Sequence, residues 1–139
     1  MKPVLVDTSA LVAAFDRGAA THEATKAAFE SLGKRPLATC QAVVTEACFL
    51  FQSRRLHGAR RDLLVNVATG RLGLHDAVVA TVNALMDRYE RVPMQFADGC
   101  LVDLADQLET DDILTLDGDF RMYRWRRKRR FRMWPDATA

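Results

Sequence analysis

Val4-Leu5-Val6-Asp7-Thr8-Ser9-Ala10-Leu11 is a short apolar run that stops at a carboxylate, passes two hydroxyls and resumes with helical spacing. That order predicts a strand handing over to a helix, with Asp7 at the strand's carboxyl end. Ligands of open α/β sheets bind at that edge. A lone aspartate there is more often a helix cap than a ligand. Its meaning depends on whether acids distant in sequence are carried to the same edge.

Working outward, helical spacing recurs between short apolar runs. Ala10 to Phe15 predicts a first helix, ended by Asp16-Arg17-Gly18, and Thr21 is placed to cap a second with Ala24, Ala27, Ala28 and Leu32 on its buried stripe. Pro36 to Thr39 suits a second strand. Gln41 to Arg55 is the most apolar helix, Ala59 to Thr69 another, and Arg71 to Leu74 a short third strand. Asp76 is placed to cap a helix through Val78 and Met86, and a further helix spans about Ala97 to Leu108. Asp111 to Asp117 is a second strand ending in an acid, and Phe131-Arg132-Met133-Trp134 alternates and stops at Pro135 as an edge strand. Strands alternating with helices predict a three-layer α/β/α domain around a mostly parallel sheet, one domain over residues 1–139.

Four acids stand out. Asp7 and Asp117 end strands on one edge of such a sheet, and Asp98 lies at a helix start, which points at that edge. Glu46 sits among Val43, Val44 and Ala47, where burying a lone carboxylate is costly, so it belongs at a cleft or beside a partner. Carboxylates gathered in one cleft repel unless a cation joins them, and oxygen ligands without Cys or His select Mg²⁺, with Mn²⁺ as a substitute. Asp103 and Asp106 read as the solvated face of their helix, and Asp111 and Asp112 as a turn. Cys40, Cys48 and Cys100 form no C-x-x-C pair and read as core thiols.

The net charge of +2 hides an asymmetry: residues 121–132 carry eight basic side chains and no acid, while the rest of the chain is acidic. Arg124, Arg126, Arg127, Lys128, Arg129 and Arg130, with Trp125 among them, suit RNA, because guanidinium binds phosphate and an aromatic face stacks on a base. A solvated loop is the plainer alternative. The apolar runs are far shorter than a membrane span, and Met1-Lys2-Pro3 leads straight into the strand, so no membrane association and a cytoplasmic location are expected.

Leu5-Val6-Asp7-Thr8-Ser9-Ala10-Leu11, Val44-Thr45-Glu46-Ala47, Phe96-Ala97-Asp98-Gly99-Cys100-Leu101-Val102 and Leu114-Thr115-Leu116-Asp117-Gly118-Asp119-Phe120, in this order and spacing, resemble a PIN domain of the VapC type, the ribonuclease toxins of bacterial toxin–antitoxin pairs. The resemblance implies a Mg²⁺-dependent endoribonuclease with Asp7, Glu46, Asp98 and Asp117 as its acidic site, and Asp7, Asp98 and Asp117 as metal ligands. It gives Thr8, Ser9 and Thr115 supporting roles, and Asp119 competes with Asp117 as the fourth acid. It further implies an RNA substrate, a cognate antitoxin protein and a homodimer. Gly99 stands where the family often has alanine.

Rival functions fare worse on the same residues. A haloacid-dehalogenase-type phosphatase wants an acid two residues after the first, and Ser9 stands there. A receiver-like signalling domain wants a lysine after a late strand, and Thr115 to Asp119 offers none. A PIN fold kept only as an RNA- or protein-binding module remains the alternative, although all four acids are present.

Overall fold

In the computed structural model, which describes residues 1–135, five three-residue strands form one sheet. They are β1 (Val4–Val6), β2 (Leu37–Thr39), β3 (Leu72–Leu74), β4 (Asp112–Leu114) and, after a small hairpin, β7 (Arg132–Trp134). The order is β3-β2-β1-β4-β7 and every pairing is parallel. The hairpin pairs β5 (Arg124–Trp125) with β6 (Arg129–Arg130). The helices are α1 (Thr8–Phe15), α2 (His22–Ser31), α3 (Gln41–Ser53), α4 (Ala59–Ala68), α5 (Val79–Arg88) and α6 (Phe96–Leu108). The architecture is the three-layer α/β/α fold expected.

Parallel strands covered by helices must be apolar on both faces, and these are. Val4, Leu5, Val6, Ile113 and Leu114 have no exposed surface, nor do Leu101, Val102, Leu104 and Ala105 of α6. The chain builds outward from β1 through β2 to β3, then returns to lay β4 on the other side of β1. The crevice of such a sheet opens at this reversal, outside the carboxyl ends of β1 and β4. The backbone prolongs the pairing there: Asp7 N–H donates to Leu114 O at 2.9 Å, and Thr115 N–H to Trp134 O at 2.9 Å.

Several local expectations change. The buried side of α2 is Thr25, Ala28 and Leu32, while Ala24 and Ala27 face solvent and Thr21 makes no side-chain cap. Asp76 does not cap α5. Asp103, read as solvated, is buried on α6 and accepts Val78 N–H at 2.8 Å and Gln107 Nε2 at 2.8 Å, so the next helix supplies the cap. Asp112 is the buried first residue of β4, not a turn. It ties Arg35 (2.6 Å) and Trp134 Nε1 (3.1 Å) together at the far edge of the sheet. Gly99 has a packing reason: a Cβ there would lie 2.8 Å from Val82 Cγ1 and 3.3 Å from Met94 Sδ, so α6 and α5 meet at hydrogen-sized clearance.

The basic run folds differently from its reading. Tyr123, Trp125 and Phe131 turn inward, with Trp125 1% exposed. Trp125 therefore cannot offer a face to a base, and the expectation that it stacks on RNA is corrected. Its ring is covered by Arg126 and Arg129, whose guanidinium carbons lie 5.6 and 5.0 Å from its centroid. Phe120, Tyr123, Phe131 and Tyr89 form a chain of edge-to-face contacts at 5.1–5.5 Å that fastens the segment to the core.

Candidate active site

Asp7 is the residue the site is built on. It leaves β1 in extended conformation and caps α1, its Oδ1 accepting Thr8 N–H at 2.8 Å. Its Oδ2 accepts the hydroxyls of Thr115 at 2.7 Å and Ser9 at 3.1 Å. Those hydroxyls are held in turn: Ser9 Oγ accepts Leu116 N–H at 2.9 Å, and Thr115 Oγ1 accepts Asp117 N–H at 3.0 Å. One network thus locks the ends of β1 and β4 together around one carboxylate. Burial pushes the Asp7 carboxyl above its ordinary range and Asp117 adds to the rise, against the three hydrogen bonds. Thr8 contributes its backbone N–H only. Its hydroxyl is buried, lines the cleft and has no hydrogen-bond partner among the described residues.

Asp98 arrives from α6. The sequence puts it at the helix start as a cap, but the cap is Gln95 and Asp98 is the third residue of the helix, its Oδ2 accepting Gln95 N–H at 3.1 Å. A carboxylate in the first turn is favourable toward the helix dipole. Yet burial, with repulsion from Asp7, Asp117 and Glu46, pushes Asp98 up to about 7. Three acids from β1, α3 and the segment after β4 are near enough to resist its ionisation, a direct sign of convergence.

Asp117 caps the 3₁₀ turn Gly118–Arg121, its Oδ1 accepting Asp119 N–H at 2.9 Å. Asp119, the competing acid, sits exposed inside that turn. Asp117 acts on both Asp7 and Asp98. Glu46 is half-buried on α3 and accepts no hydrogen bond among the described residues.

Asp7, Glu46, Asp98, Asp117 and Asp119 line one cleft of about 450 Å³, with Thr8, Ser9, Pro93 and Gln95. Its one basic lining residue, Arg54, is turned to Asp16 at 3.1 Å. Among the described residues no three Asp, Glu, His or Cys side chains close on a common point as a finished metal cage. Mg²⁺ does not need one, since it binds through one or two carboxylates and keeps several waters.

Two site neighbours escaped the sequence reading. Tyr123 is fully buried and its hydroxyl donates to Pro93 O at 3.0 Å, which steadies the segment leading to Gln95 and Asp98. Burial, Asp98, Asp119 and Asp117 raise its phenol. Its signal was masked by the arginines around it. Gln95 had none. The arginines themselves are not brought to the cleft. Arg126 N–H donates to Asp106 at 2.6 Å and its guanidinium to Glu109 at 2.5 Å, so the hairpin tip lies at the far end of α6 from Asp98.

A family model described as PIN domain matches residues 4–126. Among solved structures the chain is similar to the crystal structure of Mycobacterium tuberculosis VapC20, described as a sarcin-ricin loop cleaving toxin, with a TM-score of 0.75 and 19% identity over 84% of this chain and 91% of that one. At that identity the likeness is one of fold. No curated protein sequence matches the chain.

Proposed function

The chain belongs to the PIN domain family, and on that premise we propose that it is a divalent-metal-dependent endoribonuclease of the VapC toxin type, a single catalytic domain over residues 1–139. The observation that carries the reading is the meeting of Asp7, Glu46, Asp98 and Asp117, from four separate segments, in one cleft where they repel one another. Such a cluster is costly to keep unless it holds a cation.

The donors are hard oxygens, which fits Mg²⁺ with Mn²⁺ as a substitute. Asp7, Asp98 and Asp117 would hold it. When bound, such an ion polarises a phosphodiester and makes water a stronger nucleophile. The chain's own groups do the positioning. Ser9 and Thr115 fix the direction of the Asp7 carboxylate. Gln95 N–H fixes that of Asp98. Glu46, with no hydrogen bond to satisfy it, is free to take the proton from the attacking water. The structural neighbour's description supports RNA as the substrate and a sarcin-ricin loop fragment as the first RNA to try. A cytoplasmic toxin of this kind also needs a cognate antitoxin, and a homodimer is the expected unit. No helix among the described residues is long and apolar enough to cross a membrane.

The test is RNA cleavage with Mg²⁺ or Mn²⁺. EDTA, Asp7→Asn and Glu46→Gln are each expected to lower the rate on the order of 10²–10⁴-fold. Asp7→Asn should leave the metal-free melting temperature level or higher, because burial already opposes its charge. Undiminished cleavage by Asp7→Asn would overturn the mechanism. Growth arrest on expression, relieved by a co-expressed neighbouring gene, tests the toxin role.

A further inference from the structure

The hairpin between α6 and β7 is not used by the chemistry above, yet it is the most charged surface of the molecule. Arg127, Lys128, Arg129 and Arg130 are exposed and make no ion pair among the described residues. Only Arg126 is paired, with Glu109. The turn is held open against its sequence. Arg126 and Arg127 take positive φ values of 47° and 66°, a conformation that hairpins ordinarily assign to Gly, Asn or Asp. Adjacent unpaired cations and two left-handed arginines both oppose folding, and a polyanion would offset the first.

We propose that the tip Arg126–Arg130 is a second RNA-binding surface, which grips phosphates of the substrate outside the cleft and makes the enzyme favour RNA large enough to reach both. The proposal rests on the nuclease reading for the word substrate, but its binding part stands apart from catalysis. Position supports it. Asp98 lies in the first turn of α6 and Asp106, which receives Arg126 N–H, lies eight residues on, about 12 Å along the helix axis. The interval is basic rather than blank. Arg88 and Arg124 join Arg126 and Arg127, four cations around the single acid Asp106, in a groove of about 560 Å³ along α5 and α6. Arg124 follows Tyr123, whose hydroxyl reaches Pro93 at the cleft.

An acidic protein segment is the rival occupant, and the side-chain arrangement disfavours it. Protein interfaces anchor on aromatic or aliphatic side chains at their centre. Here every aromatic of the run is turned into the core. Met122, exposed, lies before the hairpin, and what the tip Arg126–Arg130 itself presents is cationic, which suffices for a phosphate backbone and offers a protein no apolar centre.

The experiment compares the full chain with R127A/K128A/R130A, which spares both arginines on Trp125, and with Arg127→Gly. Glycine suits the left-handed position, so Arg127→Gly removes a cation while its melting temperature stays level or rises. Binding is read in the Asp7→Asn background with ribosomal RNA, with random short single-stranded oligonucleotides and with polyglutamate. The triple variant is expected to bind ribosomal RNA about tenfold more weakly, and its slope of log K against log salt to fall by about 2–3. Short oligonucleotides should lose less than twofold. In the active background the loss should appear in KM for ribosomal RNA with kcat kept. Unchanged ribosomal RNA binding overturns the proposal. So does an equal loss on short oligonucleotides, which would place these cations at the cleft, or a loss confined to polyglutamate, which would make the tip a protein surface. If the wild-type chain cuts no RNA, the nuclease reading fails while the binding comparison still decides the tip.

Discussion

At one end of α6 five acids line a cleft, and at the other a basic hairpin tip stands free in solvent. The acids come from positions up to 112 residues apart, and Asp7 and Asp98 are largely buried and each bonded to a backbone amide. The basic residues of the tip come from one unbroken run, and among the described residues Arg127 to Arg130 make no ion pair. Long-range assembly orients charged groups against their own repulsion, which is what coordination and proton transfer demand. A local run asks nothing of the topology and leaves side chains mobile, which suits contact with an irregular chain of phosphates. The partition also explains the near-zero net charge: the two ends cancel in the sum while remaining separate in space.

The largest effect expected on the fold comes from the residue that the basic run hides. Trp125 is 1% exposed, its indole N–H has no partner among the described residues, and two guanidinium groups cover it. If it belongs to the core, Trp125→Ala should cost about 3–5 kcal/mol, seen in a denaturant melt. If it belongs to the RNA surface, the melt should not move. A loss of RNA binding with unchanged stability would dissolve the contrast between an apolar inside and a cationic outside on which the tip's role depends.

The acidic end was legible in sequence for a physical reason. Asp7 and Asp117 are marked by the strands they end, and Glu46 by an apolar helix that gives it no excuse. Each is an anomaly against a periodic background, and periodicity is what a linear chain displays. Asp98 was placed at the right helix but in the wrong cap position, since an acid suits either end of a reciprocal pair: at the cap it accepts the third residue's N–H, and at the third residue it accepts the cap's, as Asp98 does from Gln95. Asp103 was misread because its partner, Val78 N–H, is 25 residues away. Asp76 offered a nearer cap in the sequence, one that the structure does not use. The hairpin was invisible because Arg126 and Arg127 stand where turn chemistry expects Gly or Asn, and a run of like charge was read as one surface although alternate residues face opposite ways.

Asp98 allows the acidic end to be tested without RNA. Its carboxyl sits near 7 in the metal-free protein against 3.8 ordinarily. The folded chain therefore holds a proton that the unfolded chain has lost over that interval, and stability falls as pH rises from about 4 to 7, by up to about 4 kcal/mol. Below the interval both states are protonated, and above it the cost is constant. Melting temperatures of metal-free protein should decline across this window. Asp98→Asn keeps an acceptor for Gln95 N–H and should flatten the decline. Mg²⁺ should raise the wild-type melting temperature above pH 7 and leave Asp98→Asn nearly unmoved. A flat profile for the wild type would mean that Asp98 is neither buried nor crowded by the other three carboxylates.

Gly99→Ala carries the smallest expected effect and probes how α6 is seated between the two ends. Alanine in place of glycine favours a helix by about 1 kcal/mol. Against this, the new methyl would start 2.8 Å from Val82 Cγ1, and Val82 has no exposed surface into which to retreat. A β-branched side chain has few rotamers to offer, so α5 or α6 must shift, at about 1–3 kcal/mol. The clash wins by a narrow margin, and a net loss of about 0–2 kcal/mol is expected in a melt. Because the shift is passed to the neighbouring Asp98, Mg²⁺ affinity by calorimetry should fall more than stability does, while RNA binding at the hairpin tip should not change. An equal response at both ends would mean that α6 moves as a rigid rod and that cleft and tip are coupled through it.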